Sequence, residues 1–245
     1  MLVFASAATS SLFPSPPADA TGALIARVAE LALRARLRSA SLVEVDVRSN
    51  AFEILSGRVQ GVGVRGTAWR TPLDLSCSAL NFDVGATEVD LPAVVSKQRI
   101  LLKRPATGEA VVSFSGSDWA SFLAHPLVSD AVTRAKLPVS FGRDGAMVSA
   151  DAVEFVARWR DSGAEDVIRL SQAPSQPVVG VAAGGNDDAD AATRAASLAE
   201  FFGSIKLDLD GCELKFRSMA VRRQLLEVTL DVNVRRFPNP MTINF

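Results

Sequence analysis

The chain of 245 residues has no tyrosine, one histidine (His125) and two cysteines (Cys77 and Cys212). A lone histidine and two widely separated cysteines leave no closely spaced ligand pair, so no metal centre is expected. The cysteines read as two buried thiols; a disulfide between them would need neighbouring strands, which sequence does not specify. No apolar run reaches the roughly 18–20 residues that a helix needs to cross a bilayer, so no transmembrane segment is expected. The formal net charge is −1, which lacks the basic excess of a nucleic-acid binder. Basic residues do cluster at Arg34/Arg36/Arg38, Lys103/Arg104, Arg222/Arg223 and Arg235/Arg236. No aromatic residues interleave with them to stack on bases, so nucleic acid is not expected as a partner. They read as solvated or interstrand charge, with peripheral contact to membrane phosphates as the alternative.

What the chain does have is apolar residues, 48% of the total. At this length a chain buries roughly 70–75% of its unfolded surface, enough for a large core without staples. Residues 1–20 are rich in Ala, Ser, Thr and Pro, with Asp19 their only charge. They cannot build a core and read as a leader or disordered segment. The stretch resembles the end of a plastid transit peptide, except that it holds no arginine. A secretory leader ending near Ala18-Asp19-Ala20 is the alternative, which would make the protein secreted or lumenal.

Residues 21–245 read as one domain. From Thr21, a plausible N-cap, to Ala40 the period is helical, with Leu24, Val28, Leu31 and Ala35 on one face beside Ile25 and Ala32. The period then changes to two. Val43, Val45 and Val47 alternate with charges, and Val62 and Val64 continue the style; Leu80, Phe82 and Val84 follow after a parity shift from Cys77 that predicts a bulge. Pro92 to Lys97 reads as a helical turn. Ile100–Lys103 and Glu109–Phe114 read as two strands around Pro105 and Gly108. Ser117 is the expected cap of a helix bearing Trp119, Phe122 and Leu123, and a second helix spans Leu127–Ala135. Asp144-Gly145 and Asp210-Gly211 predict two tight hairpins. The first sets Phe141 opposite Val148. The second sets Leu209 opposite Cys212 and Leu207 opposite Leu214. Val153, Phe155, Ala157 and Trp159 form a strand with Val167–Leu170 returning beside it, and Leu225–Arg236 alternates most cleanly. Ser171–Ala192, with its prolines, Gly184-Gly185 and acidic run, reads as a flexible loop, followed by a helix with Leu198, Phe201 and Phe202 inward.

Motifs for chemistry are weak. Gly61, Gly63 and Gly66 match G-x-G-x-x-G, but a dinucleotide site needs a helix next, and Thr67–Ser76 alternates like sheet. The glycines instead fit sheet curvature, and no cofactor is expected. His125 has Ser121 and Ser129 nearby but no G-x-S-x-G elbow; a capping role before Pro126 is the simpler reading. Glu53, Asp118 and Glu154 lie on different elements. The chain therefore reads as a non-enzyme.

The fold class expected is α+β, with an antiparallel sheet whose single apolar face has few helices to cover it. That face holds a ligand or a filled core; period alone leaves both open. An acyl chain of 16 carbons needs roughly 12 kcal/mol of gross burial, at about 0.8 kcal/mol per methylene. The candidate lipid-binding residues are Val43, Val45, Val62, Val64, Phe82, Phe155, Leu207, Val228, Leu230 and Val232.

Several segments, in order, carry a family resemblance. They are Leu55-Ser56-Gly57-Arg58-Val59, Arg104-Pro105, Gly108–Phe114, Ser117-Asp118-Trp119 opening a short helix, and Leu225–Arg236 closing with Arg236-Phe237-Pro238. Over roughly residues 21–238 the chain resembles the LmeA-like phospholipid-binding family. The resemblance implies a tubular lipid-binding fold, in which a long curved sheet wraps the N-terminal helix. It also implies binding of phospholipid or another membrane lipid, as carrier or sensor, and no catalytic residues. The alternative is a non-catalytic scaffold or assembly factor with a filled core.

Overall fold

The computed structural model describes residues 20–90, 92–93, 101–143, 145–172, 177–183, 188–209 and 211–236. The chain opens with α1 (Ala20–Arg36), β1 (Leu42–Arg48), α2 (Ala51–Leu55), β2 (Arg58–Val59), β3 (Gly61–Arg70), β4 (Ser76–Val84), β5 (Thr87–Glu88) and β6 (Leu101–Phe114). Next come α3 (Gly116–Leu123), α4 (Pro126–Arg134), β7 (Val139–Phe141), β8 (Met147–Val148), β9 (Ala152–Trp159), β10 (Glu165–Gln172) and β11 (Pro177–Ala183). It ends with α5 (Asp188–Ser204), β12 (Lys206–Leu209), β13 (Cys212–Arg222) and β14 (Leu225–Arg236). The class is α+β, with antiparallel pairing between the strands.

Seven strands form the larger sheet in the order β1-β3-β4-β6-β14-β13-β12. A second sheet runs β11-β10-β9-β7, with β8 also on β9, and β2 pairs β5. Directly paired residues project to the same face of a sheet. One row of the larger sheet reads Val45, Val64, Phe82, Ala110, Leu230 and Phe216; another reads Val43, Gly66, Leu80, Val112, Val228 and Met219. The period-two alternation of each strand thus yields one apolar face continuous across the sheet.

The second sheet, α3 and α5 supply the cover. Their rings form a knot in which Trp119, Phe141, Phe155 and Phe202 meet at centroid separations of 5.8–6.3 Å. Leu198, Phe201 and Phe202 of α5 are buried, as their spacing implied. A buried ion pair ties α5 to β10: Arg194 donates from Nε and an Nη to the Asp166 carboxylate, at 2.7 and 3.1 Å, and Trp159 Nε1 adds a third hydrogen bond of 2.9 Å.

The Leu209–Cys212 hairpin forms in the expected register, including the like-charge pairs Lys206–Lys215 and Asp208–Glu213. The other hairpin does not form. Val139–Phe141 and Met147–Val148 both pair with β9 rather than with each other, because β9 offers a longer alternating partner to each. The bulge expected between Cys77 and Leu80 is likewise absent, since β3 and β4 keep one register from Val62 to Arg70; the irregular residue is Ala68, in the left-handed region at φ 51°. Residues 101–114 make one strand rather than two. Pro105 falls where the register with β14 shifts, between Val234 and Arg236, so its missing N–H removes no regular ladder bond. Ser171–Ala192 is not one loop: residues 171–172 end β10, β11 pairs back on it, and α5 starts at Asp188. Pro177 is tolerated as the first residue of a strand with no partner on its other side among the described residues. The expected leader and most of the turn at 92–97 lie outside the described residues, as do Asp144 and Asp210.

The N-terminal helix departs from expectation in its seating. It starts at Ala20, ahead of the expected Thr21 cap, and packs along the outer edge of β1. Its less exposed positions include Gly22, Ala26, Ala29, Glu30 and Leu33. Leu24, Val28 and Leu31, the stripe expected to be enclosed by the sheet, are 65%, 60% and 58% exposed. Glu30 accepts the N–H of Val45 at 3.2 Å and Arg34 reaches the carbonyl of Val43 at 3.5 Å, so α1 occupies backbone groups that the edge strand would otherwise present.

Phe155→Ala is expected to cost about 3–5 kcal/mol, read from urea denaturation, because it opens the centre of the aromatic knot. Leu31→Ala, on the exposed side of α1, is expected to change stability by less than about 0.5 kcal/mol.

Candidate functional site

The apolar face of the larger sheet is covered unevenly. α3 reaches β4, β6 and β14, α5 and the second sheet pack on β13, and α4 packs on β12. Val228, Leu230, Val232 and Leu207 are therefore buried in the main core, as is Phe155 from the facing sheet. Toward the other side the cover thins. Val62, Phe82 and Val112 sit only partly buried at the margin of that core, and Val64 and Leu80 are partly exposed outside it. Val43 and Val45 are buried again beside α1.

The ten expected lipid-contacting residues thus divide. Nine share one face of the larger sheet and Phe155 belongs to the opposite layer. Phe155, Leu207, Val228, Leu230 and Val232 are packed interior, while Val62, Val64 and Phe82 line the thinly covered stretch. Leu80 and Val112, which alternation marks only as strand residues, complete it. Their signal was their parity with Phe82 and with Ala110.

Two cavities lie elsewhere. A groove of about 750 Å³ on the opposite, charged face is lined by Asp83, Glu109, Glu213, Asp231, Lys215 and Arg217 among others. Arg217 bridges Glu109 and Asp231 there. Four carboxylates against two cations make it a poor phosphate site. A smaller one of about 260 Å³ has Val132, Val139 and Phe141 in its wall and Arg143 and Arg160 at its side.

The titratable groups singled out in the sequence have structural posts. Ser115, not Ser117, caps α3, in a box closed by Asp118. Asp118 also accepts the hydroxyls of Ser76 and Ser78 at 2.6 and 2.7 Å, which joins α3 to β4. Burial works against its charge, but these hydroxyls and the Ser115 N–H outweigh it and hold the carboxyl below its usual range. Glu53 closes a capping box with Asn50 on α2. Glu154 pairs with Arg169 at 2.8 Å. The three carboxylates remain on separate elements. Gly61, Gly63 and Gly66 lie within β3, and a Cβ on Gly66 would collide with the Trp69 indole. Cys77 and Cys212 are free, and burial pushes both thiols up to about 11. Their strands are three sheet positions apart, about 14 Å, too far for a disulfide. Among the described residues no helix is long and apolar enough to cross a membrane.

His125 is the N-cap of α4, its Nδ1 accepting the N–H of Leu127 at 3.3 Å. The ring is buried and Nε2 has no partner among the described residues. Burial, helped by the nearby Arg143 charge, lowers its pKa.

A family model described as LmeA-like phospholipid-binding matches residues 18–231 of the chain. No curated protein and no solved structure matches it.

The His125 environment sets a pH dependence. Burial and the Arg143 charge disfavour the protonated ring in the folded state, while the unfolded chain protonates it near 6.5, so stability falls as pH drops below about 6.5. His125→Asn keeps a capping acceptor and removes the titration. Between about pH 7 and 5 its urea midpoint is expected to vary less than that of the parent protein.

Proposed function

Because the chain belongs to the LmeA-like phospholipid-binding family, we propose that it binds phospholipid, with the acyl chains lying on the thinly covered stretch of the apolar face. One observation carries this reading: Val62, Val64, Leu80, Phe82 and Val112 are contiguous in the register and only partly buried, while Val84, Val228, Leu230 and Val232 on the same face are core. Apolar surface left to water in the middle of a continuous face costs about 25 cal/mol per Å², and an acyl chain would remove that cost. In this reading α1 forms a wall at the β1 side. Val43 and Val45 then underlie α1, while Phe155, Leu207, Val228, Leu230 and Val232 support the floor without touching lipid. The role is that of a carrier or sensor rather than a catalyst; His125, the sole histidine, is occupied as a helix cap.

A second reading, a scaffold or assembly factor, is favoured by the dense aromatic knot between the sheets. It needs no lipid, and it predicts a bare protein mass and a stable protein complex.

Native mass spectrometry after incubation with phosphatidylcholine vesicles separates the two. The lipid reading predicts an added mass equal to one or more phospholipids. In a Val64→Asp/Phe82→Asp variant that retains its circular dichroism, the lipid-bound fraction is expected to drop by about tenfold or more, since burying a carboxylate against an acyl chain costs well over the roughly 1.4 kcal/mol that a factor of ten represents. A parent protein that takes up no lipid removes the proposal.

A further inference from the structure

The outer side of α1 is an amphipathic surface with no partner in the fold among the described residues. Leu24, Val28, Leu31 and Ala35 recur at helical spacing, and all four are exposed. Ile25 and Ala32 widen the stripe on one side. At about 100° per residue, Arg27 and Arg34 fall along one border of the stripe and Arg36 along the other. Within residues 20–40 there are four arginines and one carboxylate, Glu30, which is turned inward onto the Val45 N–H and also meets Arg27; Arg38, past the helix, pairs with Asp74. The neighbouring helix α2 adds Phe52 and Leu55, 80% and 78% exposed, the most exposed large apolar side chains of the described residues.

The helix had an alternative. Turning the bulky stripe onto β1 would bury Leu24, Val28 and Leu31, yet the side placed there carries Gly22, Ala26, Ala29 and Leu33. The reason is geometric. A Cβ on Gly22 would already lie 3.1 Å from the Ser49 carbonyl and 3.3 Å from that of Val47, so the helix approaches the end of the strand closely, and Glu30 and Arg34 reach the edge backbone further along. Seating α1 for the strand leaves its large side chains outward.

An apolar stripe bordered by arginines suits one environment above others, the boundary of an anionic bilayer, where the stripe enters the acyl region and the guanidinium groups meet phosphates. A protein partner with the same complementarity would have to be apolar and acidic at once. We propose that α1, with Phe52 and Leu55 of α2 beside it, is the face by which the protein docks on anionic phospholipid membranes. The inference rests on the phospholipid reading for the class of partner, but the docking face is separate from the acyl stretch on β3, β4 and β6. The two therefore fail independently.

The test uses the full chain with Val28→Trp as reporter, sedimented with vesicles of phosphatidylcholine alone or mixed with phosphatidylglycerol. Docking predicts binding to the mixed vesicles that weakens as salt is added. It also predicts that the emission contributed by the introduced indole, taken as the difference from the parent protein, shifts to the blue and is quenched by brominated lipid. Changing Leu24, Val28 and Leu31 together to Gln keeps helix-forming residues and is expected to weaken vesicle binding about tenfold or more, with an unchanged urea midpoint. That variant still takes up short-chain phospholipid supplied below its micelle concentration, whereas Val64→Asp/Phe82→Asp loses uptake and still docks. Equal binding of the triple variant and the parent overturns the proposal. So does reporter emission already blue-shifted without vesicles, which would mean that a second copy or another part of the chain covers the stripe.

Discussion

A sheet whose strands each bury one face must find cover for the whole of that face. Here seven strands agree on which side is apolar, and the rows run without interruption from β1 to β13. The second sheet and the short helices meet this demand over the β6–β12 half, where the aromatic knot fills the space between layers. They meet it less fully toward β1, at Val62 and Val64 of β3, Leu80 and Phe82 of β4 and Val112 of β6. The fold therefore has a packed interior and, continuous with it, an apolar shelf. Both come from the same alternation, and only the extent of the cover separates core from candidate site.

The N-terminal helix answers a different demand. An edge strand exposes backbone donors and acceptors that invite pairing with another chain. Glu30 and Arg34 take up such groups on β1, and Gly22 permits a close approach at the start of the helix. Satisfying the edge dictates the rotation of the helix, and that rotation turns Leu24, Val28 and Leu31 to the outside. Charge patterning follows the same geometry, since Glu30 is used inward while Arg27 and Arg36 border the outer stripe and Arg34, on the same border as Arg27, reaches back to the Val43 carbonyl.

Much of this was legible in the residues. Alternation located the long strands, and the turn at Gly211 set the register of the β12–β13 hairpin because a two-residue connection leaves one pairing. The order of segments carried the family. What stayed hidden was whatever depends on competition between partners. The segments flanking Gly145 have strand character, but β9 outcompetes each for the other. Residues 177–183 are framed by proline and glycine, which reads as loop, yet a strand with one neighbour tolerates both. Ser115 and Ser117 offer the same hydroxyl, and only the helix start decides that Asp118 is three residues from the cap. For the proposed acyl stretch, pattern marks Val62, Val64 and Phe82 but does not separate them from Val228 and Leu230, which have the same periodicity and lie in the packed core. Likewise, the helical period announces that α1 has an apolar stripe without saying whether that stripe has anything to pack against.

Acyl chains must occupy the shelf formed by β3, β4 and β6 if the uneven cover is what makes the site. Paramagnetic broadening of valine and leucine methyl signals by a phosphatidylcholine carrying a spin label on its acyl chain reads this directly. Signals of Val64, Leu80 and Val112 should broaden while those of Val153, Leu170 and Leu198, deep in the packed interior, stay sharp. Broadening confined to other surfaces, or none at all, would contradict it.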